Sequence, residues 1–170
     1  MTLLDKIKSP EDIKELTTAE LVTLADEIRN YILDSVSRTG GHLGSNLGVV
    51  ELTLALHRIF DFSKDKLLWD VGHQCYTHKI VTGRKQDFTR LRQVDGVSGF
   101  PSPQESPFDQ FVVGHAGTAI PTAIGMALGQ QHKQSDDKIV VMVGDGSIFN
   151  GVSFEGLNNL GLVRRQLLIV

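Results

Sequence analysis

From the amino end, apolar residues first recur at helical intervals after Thr17. Leu21, Leu24, Ile28, Ile32 and Val36 follow one another three or four places apart, which predicts an amphipathic helix running to about Arg38. Thr17-Thr18-Ala19-Glu20 supplies its start, with the Thr17-to-Glu20 spacing of a capping box. Gly40-Gly41 supplies its stop. Upstream, Ser9-Pro10-Glu11-Asp12 predicts a helix start with Ser9 as N-cap and Pro10 at the first helical position. The stretch from Val49 to Phe60 predicts a second helix, apolar on most sides and therefore buried.

The pattern then changes. Leu67-Leu68-Trp69-Asp70-Val71 is a short apolar run before a glycine, which predicts a buried parallel strand. Two short helices are expected from Tyr76 to Val94. Asp95 to Gln110 holds Pro101, Pro103 and Pro107 together with Gly96 and Gly99, and must be an irregular loop. Phe111-Val112-Val113 predicts another strand. Thr118 to Lys133 has helical periodicity, with Pro121 tolerable only in the first turn. Lys138 to Val143 is the clearest strand, followed by a turn at Gly144-Asp145-Gly146-Ser147, a helix from Phe149 to Leu160 and a strand from Gln166 to Val170. This alternation predicts an α/β fold, a mainly parallel sheet flanked by helices. The turn after the clearest strand falls at the carboxyl edge, where open α/β sheets bind ligands.

Composition narrows the function classes. The 170 residues suffice for one domain, with 41% hydrophobic and 22% charged residues, as in soluble globular proteins. Seventeen basic against twenty acidic residues give a net charge of -3, which offers no electrostatic case for nucleic acid or an anionic membrane. The N-terminus lacks the apolar stretch of a signal peptide, and no run approaches the roughly 20 apolar residues that span a bilayer. Cys75 is the single cysteine, so no intramolecular disulfide can form. The expected location is cytoplasmic.

Three constellations can carry chemistry. In Val143-Gly144-Asp145-Gly146-Ser147 a carboxylate stands between two glycines at a strand end. Asp145 there suits a divalent cation that bridges phosphate oxygens, and the glycines let a diphosphate approach. The plain alternative is a strand-to-helix turn capped by Asp145. Three Gly-His pairs, Gly41-His42, Gly72-His73 and Gly114-His115, put imidazoles on close-approach backbone, and histidine transfers protons near neutral pH. Singly, each reads as a loop histidine bonded to a carbonyl; two of the pairs follow expected strands, which favours the set as a site at a sheet edge. Gly114-His115-Ala116-Gly117-Thr118 precedes a helix, where backbone N–H groups form an anion site. It matches neither common nucleotide-binding motif. A zinc site is not expected, because His73 and His78 are five apart, there is one cysteine, and no HExxH pattern occurs. Cys75 is read as a packed small hydrophobe.

Taken in order, these segments resemble one family. Asp34 to Gly48, reading DSVSRTGGHLGSNLG, the WDVGHQ run from Trp69 to Gln74, Tyr76, His78-Lys79-Ile80, Thr82-Gly83-Arg84, Gly144-Asp145-Gly146 and Phe154-Glu155-Gly156-Leu157-Asn158 are similar to the N-terminal part of 1-deoxy-D-xylulose-5-phosphate synthases, within the transketolase-like superfamily. The resemblance implies a truncated thiamine-diphosphate-binding fold in which residues 1–170 are a diphosphate- and magnesium-binding domain, incomplete at its C-terminal end. The pyrimidine-binding and C-terminal domains would be absent. It implies thiamine diphosphate and Mg²⁺ as cofactors, and a transferase that condenses pyruvate with D-glyceraldehyde 3-phosphate, losing CO2, for isoprenoid and thiamine biosynthesis. By motif, Asp145 would ligate Mg²⁺; Gly146 and Ser147 would line the diphosphate; His73, Gly114, His115 and Ala116 would contact the cofactor. His42 would face the substrate and assist proton transfer, and His73 is the second candidate catalytic group. A homodimer, or pairing with the missing domains, is implied.

The sequence departs from the family in two places. Gly114-His115-Ala116-Gly117-Thr118-Ala119 replaces a serine-rich GHSSTS, and Ser147-Ile148-Phe149-Asn150 brings a bulky Phe149 near the site. The family's second metal ligand, an asparagine on the strand after the helix, would fall just past Val170, so the 170 residues alone are expected to be inactive. Two other functions fit the same residues: a transketolase-like N-terminal subunit, and a non-catalytic truncated paralogue.

Overall fold

The computed structural model describes residues 2–170 and divides the chain into two compact units, Met1–Asp61 with His73–Pro101, and Phe62–Gly72 with Ser102–Val170.

The first unit is helical: α1 (Glu11–Lys14), α2 (Thr18–Thr39), α3 (Gly44–Leu47), α4 (Val50–Ile59) and α5 (Tyr76–Lys79), then a π-helical turn at Ile80–Arg84 and a 3-10 turn at Lys85–Arg90. Helix α2 starts as the sequence predicts. The Thr17 side chain accepts the Glu20 amide, and the Glu20 carboxylate accepts the Thr17 amide at 2.8 Å. It ends at Gly40, whose φ of +73° is open to glycine. Leu24, Ile28 and Ile32 on its inner stripe are buried. Helix α1 differs by one position. Pro10, not Ser9, is the N-cap, and the Ser9 hydroxyl caps nothing; instead the Asp12 carboxylate accepts the Lys8 and Ser9 amides at 2.7 and 2.9 Å. Its last carbonyls are covered by Arg58 of α4, which donates to Ile13 and Lys14 at 3.1 and 3.0 Å and also to Leu16. Helix α4 is not buried all round: Ile59 is 74% exposed and Leu52 is exposed, while Val50, Leu54, Leu56 and His57 face inward. Gly83, at φ +92°, breaks the helical path between the turns after α5.

His57 and His78 lie in this core, both fully buried, rings stacked with centroids 5.1 Å apart and Nε2 of one 3.0 Å from Nδ1 of the other. Burial holds His57 well below the ordinary imidazole range, and His78, Lys14 and Arg84 push the same way.

The second unit is α/β. Strands β1 (Lys66–Trp69), β2 (Ile139–Met142) and β3 (Leu167–Ile169) form a parallel sheet in the order β1-β2-β3, with Leu67 opposite Val140 and Val140 opposite Leu168. Helix α6 (Ala119–Lys133) connects toward β2; α7 (Asp145–Ile148) and α8 (Gly151–Leu160) connect β2 to β3. Ala119, Ile120, Ala123, Ile124 and Ala127 of α6 pack with Leu68, Ile139 and Val141 of the sheet, and Leu157 and Leu160 of α8 close against them. Gly156 makes that possible: a Cβ there would lie 2.9 Å from Ile120 and 3.1 Å from Pro121. The expected turn at 144–147 is the start of the short α7, and α8 begins after Asn150, whose side chain accepts the Val152 amide at 3.0 Å.

Phe111-Val112-Val113 is not a strand. It is irregular, with Phe111 and Val112 exposed at 41% and 75%. Three apolar residues without an alternating pattern or a pairing partner do not specify a strand. His115 therefore does not follow a strand; it lies in an exposed loop leading into α6.

One side chain fixes that loop. Asp70, at the carboxyl end of β1 and 1% exposed, accepts the Gly117 amide on Oδ1 at 2.8 Å and the Ala119 amide on Oδ2 at 3.0 Å. Ala119 opens α6, and its N–H is one that the helix cannot pair internally; Gly117 stands just before the N-cap Thr118.

Two predictions follow from these cores. Asp70→Asn replaces one acceptor oxygen by a donor facing a buried N–H, and is expected to cost about 2 kcal/mol in urea unfolding. The His57 contribution is complete above about pH 6.5, the unfolded value, and erodes as pH falls below it toward the lowered folded value, by up to about 1.4 kcal/mol per pH unit. Urea midpoints should decline from pH 7 to pH 5, above the carboxylate range, and His57→Gln should flatten that decline.

Candidate functional site

In the second unit the candidate residues gather at the carboxyl edge of the sheet. Asp70 follows β1 directly, and its amide donates to the Met142 carbonyl at the end of β2 at 2.7 Å. Three residues past Met142 stands Asp145, exposed, its Oδ1 accepting the Gly146 amide at 2.9 Å. A Cβ on Gly146 would meet nothing within 4 Å, so the space above this turn is open. Ser147 is buried beneath it; its carbonyl accepts the Ser153 hydroxyl of α8 at 2.8 Å, and its amide returns to the Gly144 carbonyl at 2.9 Å. The bulky Phe149 points no bulk inward, being 76% exposed.

The loop before α6 meets this turn. Gly117 has φ +87°, and a Cβ on it would lie 2.7 Å from Cγ of Asn150. Gly114, His115 and Ala116 are thereby carried to the strand ends that hold Asp145. All three are exposed, and their amides donate no hydrogen bond among the described residues. The expected anion site at the start of α6 is narrowed, however. Two of its amides, Gly117 and Ala119, are already taken by the Asp70 carboxylate, which leaves the amides upstream of Gly117 for an outside anion.

Beyond β1 the backbone is strained. Val71 has φ +61°, and the Gly72 amide donates to the Asp70 carbonyl at 2.7 Å, closing a tight three-residue turn. A β-branched residue rarely adopts that region, and such strain clusters at functional sites.

In the first unit the structure brings His42 and His73 together. Their rings meet edge to face with centroids 5.3 Å apart, and Phe100 packs on His42 at the same distance. Burial lowers the His42 pKa from its ordinary value, and the neighbouring His73 and Arg92 add to the effect, so at neutral pH His42 is uncharged. Nδ1 of His73 is buried and without a hydrogen-bond partner, which sets it apart from most buried polar atoms. Sequence reasoning missed the residues that hold this pair. Asn46, fully buried, donates from Nδ2 to the carbonyls of both His42 and His73 at 2.8 Å, and its Oδ1 accepts the Tyr76 amide at 2.8 Å. Asn46 and Asp70 both stand inside the quoted motifs, where buried polar side chains in glycine-rich runs were the available signal. Cys75 is buried, as expected of a packed hydrophobe.

Among the described residues no three histidine, cysteine, aspartate or glutamate side chains cluster as a metal site. Asp145 offers a single hard carboxylate, so a cation there needs oxygens from a ligand or backbone to complete its shell. That donor set, the open space above Gly146 and the unpaired amides at 114–116 are together compatible with a metal-bound diphosphate. No helix of the described residues is long and apolar enough to cross a membrane.

Known proteins agree with this architecture. Two solved transketolases share it: one from Leishmania mexicana, with a TM-score of 0.72 and 22% identity over 83% of this chain and 25% of that one, and a variant from Pichia stipitis, with a TM-score of 0.66 and 25% identity over 78% of this chain and 23% of that one. The 1-deoxy-D-xylulose-5-phosphate synthase of Dechloromonas aromatica is 51% identical over 168 residues, 99% of this chain and 27% of that protein. That of Desulfotalea psychrophila is 52% identical over 169 residues, 99% of this chain and 26% of that protein. The chain thus spans about a quarter of the length of these relatives. A sequence model described as 1-deoxy-D-xylulose-5-phosphate synthase matches residues 4–170, and on that match the chain belongs to the 1-deoxy-D-xylulose-5-phosphate synthase family.

Proposed function

We propose that this chain is the diphosphate- and metal-binding portion of a thiamine-diphosphate- and Mg²⁺-dependent transferase. The reaction joins pyruvate to D-glyceraldehyde 3-phosphate with loss of CO2, for isoprenoid and thiamine biosynthesis. The observation that carries the reading is the exposed Asp145 carboxylate between two glycines at the end of β2, beside the unpaired amides of 114–116, in a chain of this family.

In this reading Asp145 ligates Mg²⁺, and phosphate oxygens supply further ligands. Gly146 and Ser147 line the diphosphate, the first by leaving room and the second from the buried floor of the turn. The Gly114, His115 and Ala116 amides donate to it. His73 contacts the cofactor, and His42 meets the substrate as a neutral imidazole. Thiamine diphosphate, when bound, would supply the chemistry of decarboxylation and carbon–carbon bond formation, and the protein would orient and shield it. The pyrimidine-binding and C-terminal domains lie outside these 170 residues, the active form is a homodimer or a pairing with those domains, and the setting is the cytoplasm. The likeness to solved transketolases supports a second reading, a subunit that takes ketose phosphates as donors.

Calorimetry of the 170-residue chain should detect thiamine diphosphate at micromolar affinity with Mg²⁺ present. Asp145→Ala should weaken it at least about tenfold, the worth of one charged contact. Absence of binding to the unaltered chain, or equal affinity in the variant, would remove Asp145 from the role. In a longer protein that includes the remaining domains, faster turnover of pyruvate than of ketose phosphates separates the first reading from the second.

A further inference from the structure

Tyr76 has one hydroxyl proton, and its surroundings decide where that proton goes. The side chain is fully buried. Its ring packs edge-on against Phe88 with centroids 5.6 Å apart, and its own amide is held by Asn46 at 2.8 Å. The hydroxyl oxygen accepts the backbone N–H of His42 at 3.1 Å, so one lone pair is committed. Among the described residues the only acceptor within reach of the hydroxyl proton is Nδ1 of the same His42, at 3.3 Å. The opposite arrangement, with Nδ1 donating, would give the oxygen two incoming donors and strand its own proton in the interior. Buried donors are seldom left so.

The backbone is shaped around this contact. Gly41, beside His42, has φ +153°, and a Cβ there would stand 2.8 Å from the Tyr76 hydroxyl oxygen. Asn46 bridges the His42 and His73 carbonyls while holding Tyr76, so one buried amide keeps the two imidazoles and the phenol in register.

We propose that Tyr76 is a positioning residue that fixes His42 in the tautomer carrying its proton on Nε2, with Asn46 as the clasp that maintains the arrangement. No hydrogen bond among the described residues uses Nε2. In neutral His42 that nitrogen is therefore a hydrogen-bond donor and not a lone pair, and its ligand is an oxygen acceptor, such as a carbonyl or hydroxyl oxygen of the substrate. Relevance to turnover rests on the reading of His42 as a substrate-facing residue; the tautomer itself does not.

The test is long-range proton–nitrogen NMR on the 170-residue chain with ¹⁵N-labelled histidine, at pH 7.5 and without cofactor, His42 being assigned by its absence in His42→Gln. The expected spectrum shows a single tautomer for His42, Nε2 protonated and Nδ1 bare. In Tyr76→Phe, which keeps the ring against Phe88, that pattern should give way to a mixture of tautomers. A proton on Nδ1 in the unaltered chain, an even mixture there, or an unchanged tautomer in a folded Tyr76→Phe chain would each overturn the proposal. If the variant does not fold, the unaltered spectrum still decides the tautomer. Because no cofactor is present, failure of thiamine diphosphate to bind leaves this result untouched.

Discussion

A single carboxylate, that of Asp70, holds the α/β unit in its working shape. It closes β1, and its two oxygens take the Gly117 and Ala119 amides. The loop of residues 114–116 is thereby tied to the strand ends, next to the turn that carries Asp145. Charged acceptors bind amides more strongly than neutral ones, and here the carboxylate also settles the first unpaired N–H of a fifteen-residue helix. The consequence for ligand binding is a division of labour. The Gly117 and Ala119 amides serve structure, and those upstream of Gly117 are left for an incoming anion.

The helical unit rests on a comparable device made from neutral groups. Asn46 uses both Nδ2 hydrogens and its Oδ1 on three different backbone positions, which is nearly all that a buried amide can do. Such a satisfied network specifies one arrangement, and the arrangement is the one that sets His42 against His73.

Much of this was legible in the sequence. The capping box at Thr17, the glycine stop at Gly40, the strands around Leu67 and Val140 and the helix admitting Pro121 in its first turn are local signals, and local physics produced them. The Asp145 turn was legible too, since glycines flanking a carboxylate at a strand end demand an explanation. What could not be read were long-range pairings: Asp70 with amides 47 and 49 residues away, and Asn46 with His73 and Tyr76. Their donors and acceptors carry no periodicity. The Phe111 run misled for the converse reason: it had strand-like composition but no neighbouring strand to complete it.

The backbone at Gly41, close against the Tyr76 hydroxyl, limits how this part of the chain can change over evolutionary time. A side chain at position 41 meets an oxygen at 2.8 Å, and the φ of +153° there is one that L side chains rarely adopt whatever the space. Removing the phenol oxygen at 76 clears the space but leaves the backbone strain, so position 41 stays glycine with either ring at 76.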